Sequence, residues 1–189
     1  MGLITSNILY PTNSYIRKVC INYTKSHGEL KTMKKFNISG VIISSGLALL
    51  TGLISSIISG NPSTVYQSLT LPPYAPPGWL FGVVWPILYI LMGIAAYLVF
   101  ISDSEQGDKR KALITYAAQL LVNFSWSIVF FRFQEYGLAV IVLALLLLLV
   151  TLTIMFFYKL NQLSAWLLIP YYLWLLFAYY LNTGVFVLN

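Results

Sequence analysis

The sequence predicts an all-α membrane protein, a bundle of five transmembrane helices, and three observations carry that prediction. The composition is 59% hydrophobic and only 8% charged, with a mean hydropathy of +0.80. Soluble domains average about 25% charged residues, and much of any folded surface must still meet water, so a soluble fold of this length could not hide so much apolar surface. Five uninterrupted apolar runs are each about 20 residues long, enough to cross roughly 30 Å of hydrocarbon at 1.5 Å per residue. None of the five contains Asp, Glu, Lys, Arg or His.

In order, the expected spans are Ile38–Ser59, Trp79–Ile101, Ala112–Phe131, Leu138–Phe157 and Ala165–Val187. Together with their loops they form one transmembrane domain, residues 33–189. Residues 1–32 are polar and mildly basic without a sustained period, which reads first as a disordered tail or an over-extended gene start. An organelle-targeting segment and the loose myristoylation pattern Met1-Gly2-Leu3-Ile4-Thr5-Ser6 are the weaker alternatives.

Loop charge sets the expected orientation. Lys31, Lys34 and Lys35 precede the first span, Lys109, Arg110 and Lys111 separate the second from the third, and Lys159 follows the fourth. All fall on one side, whereas the other holds Arg132 alone and the long loop 60–78 has no charge. The positive-inside rule then puts the N-terminus in the cytoplasm and the C-terminus outside, and a composition rich in Ile, Asn, Ser and Lys with a lean five-span core makes a bacterial plasma membrane the expected setting. The net charge of +6 is therefore a topology signal and not a nucleic-acid footprint.

Packing signals come next. In the first span Ser44, Ala48, Gly52, Ser56 and Gly60 recur every fourth residue, a stripe along which another backbone can approach closely. Helix packing is the simplest use of it; a self-association face or one wall of a ligand cavity is the sharper one. The Leu-rich fourth span is expected to face lipid over much of its circumference. Pro86 and Pro170 each remove a helical hydrogen bond and should kink their spans.

Three spans carry polar or aromatic residues at helical spacing: Gly82, Trp85, Tyr89 and Gly93 on the second; Gln119, Asn123, Trp126, Ser127 and Phe130 on the third; Trp166, Pro170, Trp174, Ala178 and Asn182 on the fifth. An amide in hydrocarbon needs a partner, so Gln119, Asn123 and Asn182 should face the bundle interior. Trp85 lies roughly 9 Å below the outer end of its span, and Asn123 and Trp126 on the order of 16 and 21 Å from the inner end of theirs. These depths converge in the outer half of the bilayer, beneath the proline-rich loop 60–78, which suits a semi-rigid lid. Trp79 and Trp166 sit at span starts and read as interface anchors. Trp85, Trp126 and Trp174 are too deep for that, and core packing and a ligand wall are equally compatible with their spacing. Stacked indole and phenol faces would suit a flat conjugated ligand.

Catalytic constellations are missing. One cysteine, Cys20, and one histidine, His27, supply neither a disulfide nor a Cys/His metal cluster within one chain, and no carboxylate pair or Ser-His-Asp set exists in the spans. Without an intramembrane ionisable group, proton- or ion-coupled transport has no coupling site. No cofactor or metal is expected.

The motifs resemble those of the translocator protein family, also called the tryptophan-rich sensory protein or peripheral-type benzodiazepine receptor family. Pro76-Pro77-Gly78-Trp79 with Trp85-Pro86-Ile87-Leu88-Tyr89 and Gly93 resembles its second helix. Gln119-Leu120-Leu121-Val122-Asn123-Phe124-Ser125-Trp126 with Phe130-Phe131 resembles the third, and Ala165-Trp166 through Pro170-Tyr171, Trp174, Phe177-Ala178 and Leu181-Asn182 the fifth. The resemblance runs from about Ile38 to the C-terminus.

It implies a five-helix bundle, often a homodimer, that binds porphyrin-type tetrapyrroles and benzodiazepine-like ligands under the first loop. Carried across, the ligand-binding residues would be Tyr66, Pro76, Trp85, Tyr89, Asn123, Trp126, Ser127, Trp174 and Ala178. In some bacterial members the tryptophans matching Trp85 and Trp174 are implicated in light-dependent protoporphyrin breakdown, which makes those two the catalytic expectation if the chain is an enzyme. A small-molecule or lipid transporter is the third alternative. Departures are Val142 where the family often has an acid, Tyr74 for the usual tryptophan, and no basic residue after Lys159 to complete the animal cholesterol motif.

Overall fold

The computed structural model describes residues 37–189; the expected tail over 1–32, and Lys31, Lys34 and Lys35, lie outside the described residues. Those described form six α-helices and one π-helical turn: α1 (Ile38–Ile58), α2 (Pro62–Ser68), α3 (Trp79–Ile101), α4 (Gln106–Ser127), the π turn Ile128–Arg132, α5 (Tyr136–Leu160) and α6 (Gln162–Leu188). Five are long and apolar enough to cross a membrane: α1, α3, α4 with its π turn, α5 and α6. The protein is thus an all-α, multi-pass membrane protein.

Local chemistry sets the helix ends. The Asn37 and Asn61 side chains accept from Ser39 N and Thr64 N, Pro62 opens α2 where no amide proton is needed, and Gly60 takes a positive φ of 86° just past α1. Asn161 ends α5 and caps α6 at once, its side-chain oxygen accepting from Ser164 N at 3.0 Å. Helices α3 and α6 continue through Pro86 and Pro170.

Two features differ most from expectation. The third span begins at Gln106 instead of Ala112, because the charged stretch before it is helical. Lys109 Nζ donates to Ser102 O at 2.9 Å, placing a cation on the carbonyl end of α3, where the helix dipole favours it. Loop 60–78 holds the short helix α2, whose seven residues are too few to show a period in sequence.

The spans form a closed ring in which α1 packs on α3, α3 on α6, α6 on α5, α5 on α4, and α4 on α1. Met92, Ala95 and Val99 of α3, Leu143 and Leu146 of α5, and Leu168 and Leu175 of α6 are fully buried in the shared core. On α5, Ile141, Leu145 and Leu148 face outward, so the Leu-rich span is divided into one packed and one lipid-facing side.

Candidate functional site

The site begins with the path of α1. Along its first half α1 lies flush on α3: Ser44 Oγ donates to Gly93 O at 2.7 Å, Ser45 Oγ to Ile90 O at 3.3 Å, and the backbone of Ser45 touches Gly93 where any Cβ would clash. At Gly52 the ring of Tyr89 fills the space a side chain would need. Beyond Gly52 the partners change. Ser55 Oγ donates to Phe124 O at 2.7 Å, Ser59 and Ser127 share a 2.8 Å hydroxyl hydrogen bond, and Arg132 Nη1 donates to Ile58 O at 2.8 Å, all on α4 and its π turn. The buried positions of the stripe are thus Ser45, Ala48, Ser55 and Ser59, with Gly52 between, spaced three and four apart; Ser56 and Gly60 lie on the exposed side. The helix-packing use of the stripe is realised, on this shifted set.

Because α1 leaves α3 for α4, a cavity of about 620 Å³ opens between the three helices, with α2 above it. Its α3 wall carries Phe81, Gly82, Trp85, Pro86 and Tyr89, its α4 wall Asn123, Trp126 and Ser127, and its α1 wall Leu49, Gly52, Leu53, Ser55 and Ser56. Tyr66 and Ser63 of α2 close the top. The Trp85 ring lies 5.7 Å from that of Tyr89, 6.1 Å from Trp126 and 6.3 Å from Tyr171, within ordinary aromatic-contact range. Gly82 faces empty space, with nothing within 4 Å of where a Cβ would stand.

The polar residues behind these rings are hydrogen-bonded across the bundle interior. Asn123 Nδ2 donates to Tyr171 Oη at 3.0 Å, and the Tyr171 hydroxyl donates on to Gln119 Oε1 at 3.0 Å. Gln119 Nε2 lies 3.8 Å from the Met92 sulfur as a weak donor. Trp126 Nε1 donates to Asn182 Oδ1 at 3.0 Å, and Asn182 Nδ2 donates to Tyr136 O at 3.1 Å. Gln119, Asn123 and Asn182 are each no more than 3% exposed, and their hydrogen bonds link α4 to α6 across the bundle interior.

Above the cavity, Tyr66 Oη donates to Pro76 O at 2.7 Å, and burial pushes its phenol above the ordinary value. The loop is also pinned to α6. Tyr180 Oη donates to Pro73 O at 2.8 Å, Thr70 and Asn189 exchange two hydrogen bonds of 2.9 and 3.0 Å, and Pro72 seats against Gly184.

Of the residues expected at a ligand site, Tyr66, Trp85, Tyr89, Asn123, Trp126 and Ser127 surround this one cavity. Pro76 contributes its carbonyl to Tyr66. Trp174 and Ala178 stand elsewhere, because the Phe81 ring comes between, edge-on to Tyr66 at 5.2 Å and to Trp174 at 5.7 Å. Ala178 lines a separate hollow of about 30 Å³ beyond Phe81 and Trp126, and Trp174 Nε1 is buried without a hydrogen-bond partner. Trp79 lines the cavity mouth as well as sitting at the span start, and Trp166 is exposed at its own. The sequence offered the α1 stripe as a cavity wall only as the alternative to helix packing, and it missed Phe81 as the partition and Tyr171 as the amides' partner.

Chemically, the cavity offers stacking surfaces, an amide and several hydroxyls. Among the described residues no group of three His, Cys, Asp or Glu could hold a metal ion.

Comparison with known proteins agrees with this architecture. The TspO/MBR family model matches residues 43–188. The tryptophan-rich protein TspO of Chlorobaculum tepidum is 34% identical over 145 residues, 76% of this chain and 92% of the relative. That of Archaeoglobus fulgidus is 36% identical over 150 residues, 78% and 96% of the two chains. The human translocator protein is 34% identical over 131 residues, 68% and 76% of the two chains. With the match spanning all five membrane helices, the chain belongs to the TspO/MBR family.

Proposed function

We propose that this protein is a membrane receptor for flat, largely apolar ligands of the porphyrin or benzodiazepine-like kind, held in the cavity between α1, α3 and α4. One observation carries the reading: a hollow of about 620 Å³, inside the range of roughly 300–1,000 Å³ usual for small-molecule sites, walled by Trp85, Tyr89 and Trp126. The indole and phenol faces supply stacking area, and Asn123, Ser55 and Ser127 supply a few orienting polar groups, the balance such sites show. Phe81 separates this space from Trp174 and Ala178, and turning that one ring would enlarge the site toward α6.

The same proposal turns the Lys109–Lys111 and Lys159 end toward the cytoplasm, from the bias of loop cations, and takes the assembly to be a homodimer, from the family resemblance. The test is titration of the protein in vesicles with protoporphyrin IX, read by tryptophan fluorescence. Saturable binding near one ligand per chain is expected, weakened at least tenfold by Trp85→Ala; linear, non-saturating quenching that ignores the substitution would overturn the reading.

A further inference from the structure

The cavity's walls are unequal in a way that decides how a ligand reaches it. On the loop side the roof is bolted down: Tyr66 holds Pro76, Tyr180 holds Pro73, Thr70 and Asn189 are doubly bonded, and Pro72 is buried against Gly184. On the membrane side, between the loop-proximal halves of α1 and α3, no hydrogen bond joins the helices among the described residues. The hydrogen bonds and close glycine contacts joining α1 to α3 all lie at or below Gly52 and Tyr89, and above that level α1 bonds only to α4 and its π turn.

The rim of that gap is apolar and outward-facing. Leu50 is 50% exposed, Leu53 56% and Trp79 69%, with Gly82 and Pro86 exposed beside them. These residues belong to spans and extend roughly 10 Å along α3 from its start, within the loop-side half of a hydrocarbon core about 30 Å thick. Exposed hydroxyls, Ser56 and Ser63, border the cavity at its upper edge, nearest the headgroups.

We infer that the cavity is loaded sideways from the loop-side leaflet, through a portal between α1 and α3 rimmed by Leu50, Leu53, Trp79, Gly82 and Pro86. The ligand class follows: an amphiphile already dissolved in the bilayer, with a broad apolar plane that passes the Leu and Trp rim and a polar edge that stays level with Ser56 and Ser63. Such a ligand never crosses the aqueous face of the lid. Its effective concentration is set by partitioning into lipid, so the receptor samples the membrane and not the surrounding water. This inference rests on the ligand-site reading above, but its structural core, a cleft open to lipid, can be measured without any ligand.

The first arm uses phospholipids brominated near the top of their acyl chains, which quench tryptophans that touch lipid. With Trp85 as the only tryptophan, the other four replaced by Phe, brominated vesicles should lower its emission at least twofold. The difference between wild type and Trp85→Phe gives the same quantity if the fourfold variant does not fold. Emission from Trp85 that is indifferent to the brominated chains overturns the portal whatever the ligand.

The second arm locks the lid by joining Thr70→Cys to Asn189→Cys in a Cys20→Ser background, through a disulfide or a short bis-maleimide bridge. Protoporphyrin IX delivered in donor vesicles should associate with locked and unlocked protein at rates within twofold, whereas a tenfold slowing on locking means loading through the lid and overturns the portal. If protoporphyrin binds neither form while the brominated chains quench Trp85, the porphyrin reading fails and the portal stands.

Discussion

The Trp126 indole nitrogen and the Asn182 carboxamide oxygen, 56 residues apart, meet at 3.0 Å in the buried bundle interior, bridging α4 and α6. The same carboxamide donates to Tyr136 O, so one side chain ties a cavity-wall tryptophan to the start of α5 as well. Asn182→Leu keeps the volume but leaves two buried polar atoms unmatched. Hydrogen bonds inside membranes measure about 0.6 kcal/mol on average, with a ceiling near 1.7 kcal/mol. The expected loss is therefore about 1–2 kcal/mol, read as a lower thermal midpoint in detergent, together with weaker ligand binding because Trp126 is no longer held.

Tyr171 is the hub of the second pair. Its hydroxyl accepts from Asn123 and donates to Gln119, and the residue has no exposed surface. Tyr171→Phe should destabilise by about 1–2 kcal/mol, since both amides lose a partner. A double-mutant cycle with Asn123→Ala checks the assignment: the double variant should lose clearly less than the sum of the two single losses.

Gly52 and Gly46 lie six residues apart on α1 and should answer oppositely to the same change. A methyl at Gly52 runs into the Tyr89 ring, which must then swing into the cavity, so Gly52→Ala should cost about 1–3 kcal/mol and reduce binding. A methyl at Gly46 meets nothing within 4 Å, and Gly46→Ala should be neutral or stabilising by about 0.5–1 kcal/mol because alanine loses less backbone entropy in a helix. Thermal melts of the two variants in one detergent are the comparison.

The lid has a pH signature. Burial raises the Tyr66 phenol above its usual value of about 10, so the folded state holds that proton more tightly than the unfolded chain. Its contribution is then complete below pH about 10 and is lost as pH rises toward the folded-state value, where the unfolded chain has already released the proton. Between pH 6 and 9 the lid should be insensitive to pH. In alkaline melts above pH 10, the stability of wild type should fall more steeply than that of Tyr66→Phe.

Much of the fold was legible because each span is a long apolar run and hydrophobic length alone sets its limits; α3 spans Trp79–Ile101 as the sequence indicates. The start of α4 was not, since its first turns are charged and hydropathy stops where the charges begin, although the helix continues to Gln106. The site was partly legible. Helical spacing and the need of buried amides for partners bring Trp85, Tyr89, Asn123 and Trp126 to one region, but spacing fixes only which face a residue occupies on its own helix. Whether the facing helix is α1 or α6 depends on where α1 changes partners, and a single phenylalanine, Phe81, decides that Trp174 stands apart from the cavity. Neither is a property of any one span.

The central claim, that the α1–α3–α4 cavity holds the ligand, is tested most directly by filling it. Gly82→Phe projects a ring into space that is empty around the Cβ position and should leave the fold and thermal midpoint close to those of wild type. Titrated with protoporphyrin IX in vesicles, this variant should show no saturable quenching, or an affinity at least tenfold weaker. A folded Gly82→Phe protein that binds the pigment as tightly as wild type would contradict the account.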